Sequence, residues 1–305
     1  MPAIQADRVS LEYESFGEAS HPVILLVMGL GMQMHLWPDA LCEMLAAQGF
    51  RVIRFDNRDA GHSTQFDHLG MPRVGLETIK FLLRLRLKAP YLIDDMARDT
   101  AALLDALGIA RAHIVGASMG GMIAQNVAAD FPGKVLTLTS IMSTTGNRRL
   151  PGPTAKARRA LLAPPAKRGD LEGATQRMMS VLRDIGSVTH PAEPGYLRGL
   201  CERQVRRAHN PAAVARQLVA IAASGDRTSI VRRIKAPTLV IHGDEDPLVR
   251  PACGEETARV IREGGGEARV EIIAGMGHDL PVPLLPQIAE CIVAHCRLHR
   301  EPGSP

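Results

Sequence analysis

His113 to Gln125 reads HIVGASMGGMIAQ: a β-branched run that gives way within a few residues to a helix-forming one. At the junction Gly116, Ser118 and Gly120 make the pattern Gly-x-Ser-x-Gly. A chain of this glycine and serine content would meet that bare pattern about 0.1 times by chance, so its placement carries the reading. It falls where a strand ends and a helix begins, the setting in which a serine is held on a sharp turn with its hydroxyl exposed. Such a turn strains the backbone at the serine. A Cβ two residues away on either side would collide, hence glycine at both places. Gly121 lets the following helix pack close to the sheet.

Working outward, apolar β-rich runs alternate with helical stretches. The strand candidates are 21–29 (HPVILLVMG), 50–57 (FRVIRFDN), 112–116 (AHIVG), 134–141 (KVLTLTSI), 236–244 (APTLVIHGD) and 268–275 (ARVEIIAG). Periodic stretches at 37–48, 93–107 and 119–129 read as helices. Strands apolar on both faces suit a mostly parallel sheet covered by helices, so the fold class is α/β. VSLEYESFG (9–17) alternates and reads as an antiparallel edge arm. From Met142 to Lys235 the rhythm breaks into proline-rich turns and helical patches with no convincing strand. The sequence therefore predicts a core of residues 1–141 and 236–305 carrying a helical cap at 142–235.

That insertion holds 18 Lys+Arg against 6 Asp+Glu, net +12, which leaves −8 for the rest of a chain of net charge +4. Its basic faces read as solvated and partly paired with the acidic core, with electrostatic steering of anionic substrates as the sharper alternative. It lacks the aromatic interleaving of nucleic-acid binders, so no nucleic-acid partner is expected. The segment FLLRLRLKAP (81–90) reads either as an edge strand or as an amphipathic excursion near the site entrance.

At 305 residues, 46% hydrophobic and 22% charged, the chain can bury a sizeable core. Its N-terminus does not read as a secretory signal, and the longest apolar run, VILLVMGLGM, is too short to span a bilayer; a cytoplasmic protein without stable membrane insertion is expected. Five scattered cysteines, never spaced Cys-x-x-Cys, suggest neither a disulfide framework nor a zinc site, and they read as small buried hydrophobes. A homodimer is compatible with the sequence.

A serine hydroxyl needs a base to take its proton and a third group to orient that base. TLVIHGDEDPLV (238–249) puts an acidic loop just after one strand, and EIIAGMGHDLP (271–281) puts a histidine in the loop after the next. His278 is read as the base, with His62 and His242 as competitors near strand ends. Asp246, beyond the turn and followed by proline, is read as the acid that fixes the His278 tautomer, while Asp244 caps the turn.

The motifs GASMGG, HGDEDPLV and GMGHDLP, in the chain order Ser, Asp, His, together with FDNRDAGHST, resemble those of the α/β-hydrolase superfamily. LLVMGLGMQMHLWPD and VIRFDNRDAGHST are most similar to carboxylesterase-like members that include anthracycline (aclacinomycin-type) methylesterases. The resemblance spans about 210 residues of sheet core. It implies a serine carboxylic ester hydrolase working through an acyl-enzyme without metal or cofactor, on bulky small-molecule esters such as methyl esters or macrolide-type lactones of polyketide-like molecules. It also implies an oxyanion hole from the backbone N–H groups of Leu30 and Met119, with Asp56, Arg58 and Gly61 bracing a loop. Met28-Gly29 stands where many members carry His-Gly. The methionines Met28, Met32, Met34, Met122 and Met142 are expected to line an adaptable apolar pocket, with Met119 and Met276 nearby. A C–C bond hydrolase or a perhydrolase would use the same triad, and a ligand sensor with vestigial activity the same pocket.

Overall fold

The strands, in chain order, are β1 (Ala3–Ala6), β2 (Val9–Phe16), β3 (Val23–Val27), β4 (Arg51–Phe55), β5 (Ala112–Ala117), β6 (Val135–Ile141), β7 (Thr238–Gly243) and β8 (Ala268–Ile273). This computed structural model describes residues 2–167 and 169–299, so the expected end of the core at 305 lies outside the described residues. All eight strands join one sheet in the order β1-β2-β4-β3-β5-β6-β7-β8. From β4 to β8 the pairs are parallel, and β2 runs antiparallel to both β1 and β4.

The helices are α1 (Asp39–Ala47), α2 (Val74–Leu82), α3 (Ile93–Ala106), α4 (Met119–Asp130), α5 (Ala155–Leu162), α6 (Leu171–Ile185), α7 (Pro194–Arg207), α8 (Pro211–Ser224), α9 (Thr228–Val231), α10 (Pro251–Glu263) and α11 (Leu285–Leu298). Side chains alternate across a strand, and β3 shows why its run is apolar throughout. Leu25 and Val27 pack with α3, α4 and α10 on one face. Ile24 and Leu26 pack with α1 and α11 on the other.

Between β6 and β7 the described residues form α5 to α9 and no strand. The prolines and small polar residues of this stretch start its helices. Thr154, Asp170 and Asn210 accept N–H bonds of Ala157, Gly173 and Ala213 at the N-termini of α5, α6 and α8. Pro194 and Pro211 occupy the first turns of α7 and α8, where a missing N–H leaves no bond unmade. The segment 81–90 is not an edge strand. It continues from the end of α2 into an exposed loop that pairs with no strand of the sheet.

Four of the five cysteines are buried and all are free; Cys291 is half-buried. Burial pushes the Cys42 thiol up to about 12.

A buried ion pair ties α8 to the loop after β4. Asp59, at φ +62°, accepts from Arg216 Nε and Nη2 of α8, both at 2.8 Å, and from the Tyr91 hydroxyl at 2.7 Å. Both charged side chains are fully buried. Arg216→Met keeps the bulk but strands the Asp59 carboxylate, and we expect it to lower unfolding free energy by about 3–5 kcal/mol in urea titration. A change below ~1 kcal/mol would show that the pair does not hold α8 to that loop.

Candidate active site

The turn between β5 and α4 is built on backbone contact. A Cβ at Gly116 would lie 2.2 Å from the Gly120 carbonyl oxygen, and one at Gly120 would lie 2.0 Å from the Val27 carbonyl oxygen. No side chain fits at either place. A Cβ at Gly121 would come 2.5 Å from Ser143 Cβ, which is why this helix approaches the sheet so closely. Pinned this way, Ser118 adopts φ +56°, ψ −119°, a strained conformation for a residue with a side chain. Its N–H donates to Ile141 O at 2.9 Å, and its carbonyl accepts from Ser143 Oγ at 2.8 Å and Met122 N at 3.1 Å. Both peptide units flanking the serine are thereby fixed.

The loops that follow β7 and β8 bring two partners to it. His278 Nδ1–H donates to Asp246 Oδ2 at 2.7 Å, which leaves Nε2 as the acceptor for Ser118 Oγ–H at 2.9 Å. Asp246 is fully buried, and its other oxygen accepts the N–H groups of Leu248 and Val249 at 2.8 and 2.9 Å. Burial by itself would raise the Asp246 carboxyl. The charge of His278, its hydrogen bond and the His242 ring 3.5 Å away outweigh it and hold the group well below the ordinary carboxylate range.

The competing residues are engaged elsewhere. His242 Nε2 donates to Val249 O at 2.7 Å and stands 3.5 Å behind Asp246, away from the serine. His62 is half exposed and faces Glu12. Asp244 accepts the Gly275 N–H at 2.8 Å and so ties the two loops together.

Several supporting residues carried no signal in the sequence. The His278 N–H donates to Ile185 O at the end of α6, the Gly277 N–H to Ser187 Oγ, and Ser187 in turn to Asp279. Residues 185–187 of the insertion therefore orient the histidine loop. The loop after β3 is held in the same manner. Gly31 N–H donates to Gln217 Oε1 of α8 at 2.7 Å, and Asn57 Nδ2 to Met28 O at 2.9 Å. Asp56 accepts the Met34 N–H and pairs with Arg207 of α7. Gly61, at φ +49°, sits where a Cβ would meet the Asp56 carboxylate at 1.8 Å. Arg58 instead pairs with Asp99 of α3. The N–H groups of Leu30 and Met119 donate to no acceptor among the described residues, and both residues border the cavity that Ser118 and His278 open into.

That cavity measures about 1680 Å³. Met28, Met32, Met119, Met122 and Met142 line it, with aliphatic side chains from α2 and α5 to α8. Met34 does not, contrary to expectation: its backbone is tied to Asp56, and its side chain is fully buried outside the cavity wall. Met276 belongs to the core. At the cavity's edge stands Arg227, fully buried, donating to Met122 O, Gln125 Oε1, Asn126 Oδ1 and Thr144 O. Burial draws it down to about 10, so it stays charged at neutral pH. Among the described residues no three His, Cys, Asp or Glu side chains gather as metal ligands would. No helix among them is long and apolar enough to cross a membrane.

A family model described as alpha/beta hydrolase fold matches residues 22–282. Rhodomycin D methylesterase DauP of Streptomyces sp. strain C5 is 31% identical over 316 residues, spanning 96% of this chain and 97% of that one. Rhodomycin D methylesterase DnrP of Streptomyces peucetius is 30% identical over 320 residues, spanning 96% and 97%. The solved enol-lactonase from Burkholderia xenovorans LB400 is similar in fold, with a TM-score of 0.73 at 23% identity over 96% of this chain and 99% of that one.

The depressed Asp246 carboxyl has a consequence for acid stability. A group whose folded pKa lies below its unfolded value, about 3.9 for Asp, adds stability above that value and loses it as pH falls through the folded pKa. Asp246→Asn should therefore lose stability less steeply than the unsubstituted protein below about pH 4, as followed by urea unfolding at successive pH values. Equal slopes would mean that Asp246 is not held in its charged form by its surroundings.

Proposed function

The chain belongs to the α/β-hydrolase family and is an ester-hydrolysing enzyme, and on that premise we propose that it is a serine carboxylesterase in which Ser118 attacks, His278 carries the proton and Asp246 orients the histidine. The observation that carries the reading is the unbroken hydrogen-bond chain from Ser118 Oγ through both nitrogens of His278 to the buried Asp246 carboxylate. As Oγ bonds to the ester carbonyl carbon, its proton passes to His278 Nε2. Negative charge grows on the carbonyl oxygen, and the Leu30 and Met119 N–H groups donate to it. Asp246 stabilises the imidazolium, which then protonates the departing alcohol. Water then gives a proton to the same nitrogen as its oxygen bonds to the acyl carbon, and the C–Oγ bond breaks as His278 returns that proton to Ser118 Oγ, releasing the acid.

The acyl side of the substrate is bulky and apolar. A cavity of about 1680 Å³ exceeds the 300–1,000 Å³ usual for small-ligand sites, and flexible thioethers next to the serine suit a wide, flat ring system. The two Streptomyces relatives are named for the methyl ester of one such molecule. We therefore assign the substrate class as a methyl ester or lactone of a polycyclic, polyketide-like acid. The inserted helices act as a cap over it, since their residues 185–187 hold the histidine loop and Gln217 the oxyanion loop.

Ser118→Ala is expected to lower kcat by ~10⁴ to 10⁶ with little change in KM, measured on p-nitrophenyl esters from acetate to long acyl chains. A folded Ser118→Ala protein with near-normal turnover would overturn the assignment. With methanol as the common leaving group, methyl esters of polycyclic acids should exceed methyl acetate in kcat/KM by at least about tenfold, since only the larger acyl group fills the cavity. The reverse order would remove the bulky-acyl reading while leaving the triad in place.

A further inference from the structure

Helix α2 carries apolar side chains on its outward side as well as its inward one. Its inner side, with Val74, Thr78, Phe81 and the Lys80-paired Glu77, walls the cavity. Its outer side and the loop after it present Met71, Leu76, Ile79, Leu82, Leu83 and Leu85 to solvent, each between 44% and 72% exposed. These are six of the sixteen large hydrophobic side chains exposed among the described residues, gathered into fifteen positions of sequence. A surface helix ordinarily turns polar residues outward, so an outward face this rich in aliphatic side chains is one covered by something else.

Charge identifies the cover. Arg73, Lys80, Arg84, Arg86 and Lys88 are interleaved with the leucines, and the acidic residue of the stretch, Glu77, is buried and paired with Lys80. Arg73, Arg84 and Arg86 have no ion-pair partner among the described residues. A symmetric contact between two copies would bring these cations face to face with their own images. Aliphatic side chains without exposed aromatic rings are also unlike the core of a specific protein interface. Exposed leucine with unpaired arginine matches a bilayer surface: the leucines enter the acyl boundary while the guanidinium groups meet anionic headgroups.

We propose that residues 71–88 form a peripheral docking surface for anionic lipid membranes at the rim of the ester cavity. Leu82 both lines the cavity and is 72% exposed, so the cavity reaches the surface within this patch. Docked this way, the enzyme takes an apolar ester from the lipid phase without passing it through water. Nothing crosses the bilayer, and the attachment is reversible and weakened by salt.

The test is flotation of the full chain with vesicles of phosphatidylcholine alone or of phosphatidylcholine and phosphatidylglycerol in about equal parts. The protein should float with the anionic vesicles at least about tenfold more than with the neutral ones, and lose most of that binding in about 0.5 M salt. Two variants outside the cavity wall separate the contributions: Ile79→Ser/Leu83→Ser/Leu85→Ser, and Arg86→Glu/Lys88→Glu. Each should reduce vesicle binding at least about tenfold while retaining turnover of a soluble short-chain p-nitrophenyl ester. Failure of the unsubstituted protein to float, or undiminished binding by the leucine and isoleucine variant, would overturn the proposal. So would light scattering that finds a dimer dissociated by that variant, since the covering surface would then be a second copy. Binding is read independently of catalysis, so this result and the Ser118 result can fail separately.

Discussion

The structure depends on one close approach: α4 packs on β3 and β5 with no side chain between the backbones. A Cβ at Gly120 would come within 2.0 Å of the Val27 carbonyl oxygen, and one at Gly116 within 2.2 Å of the Gly120 carbonyl oxygen. That contact forces the turn at Ser118 into its positive φ, at a cost of about 1–3 kcal/mol. The hydrogen bonds to Ile141, Ser143 and Met122 hold it there. Because β5, β7 and β8 run parallel, their following loops all emerge at the same end of the sheet, and Ser118, Asp246 and His278 meet there without long excursions. The strain of the turn and the direction of the sheet together aim the serine hydroxyl at the histidine.

A second set of contacts ties the inserted helices to that end. Arg207 pairs with Asp56 and Glu12, and Arg216 with Asp59 and Asp67, so part of the basic charge of the insertion is neutralised by acidic groups of the core. The charge asymmetry visible in composition is here a means of attachment. The same helices hold the loops on either side of the serine through Gln217 and residues 185–187. Movement of the insertion would thus act on the histidine as well as on the cavity. Arg148, Arg158 and Arg183 border the cavity together with Glu77, Glu193 and Asp279, so charges of both signs edge a mostly apolar space.

What could be read in the sequence was what local chemistry dictates. β3, β5, β6 and β7 are covered on both faces, which makes β3 a continuous apolar run and the others apolar-rich runs broken by buried Thr, Ser and His, all bounded by turns. The serine turn announced itself by its glycines, and Asp246 and His278 by lying just past strand ends. β1, four residues of sequence AIQA with only Ala6 buried, offered no such pattern. The Leu/Arg alternation after Leu82 has the period of a strand but finds no strand to pair with, and period alone does not distinguish the two. Met34 lies two residues from Met32, yet its N–H bond to Asp56 directs it into the core, a contact no spacing encodes. Gln217 reaches Gly31 across 186 positions, and Arg216 reaches Asp59 across 157. Pairings at such distance exist only once the chain has folded.

The central claim is that Ser118 is a nucleophile activated by His278. It is tested most directly by treating the protein with a fluorophosphonate and mapping the modified residue by peptide mass spectrometry. The account predicts one phosphonyl group per chain, on the peptide containing Ser118, with labelling of the folded His278→Ala protein slowed by at least about a hundredfold. Labelling of another residue, or equally fast labelling without the histidine, would contradict it.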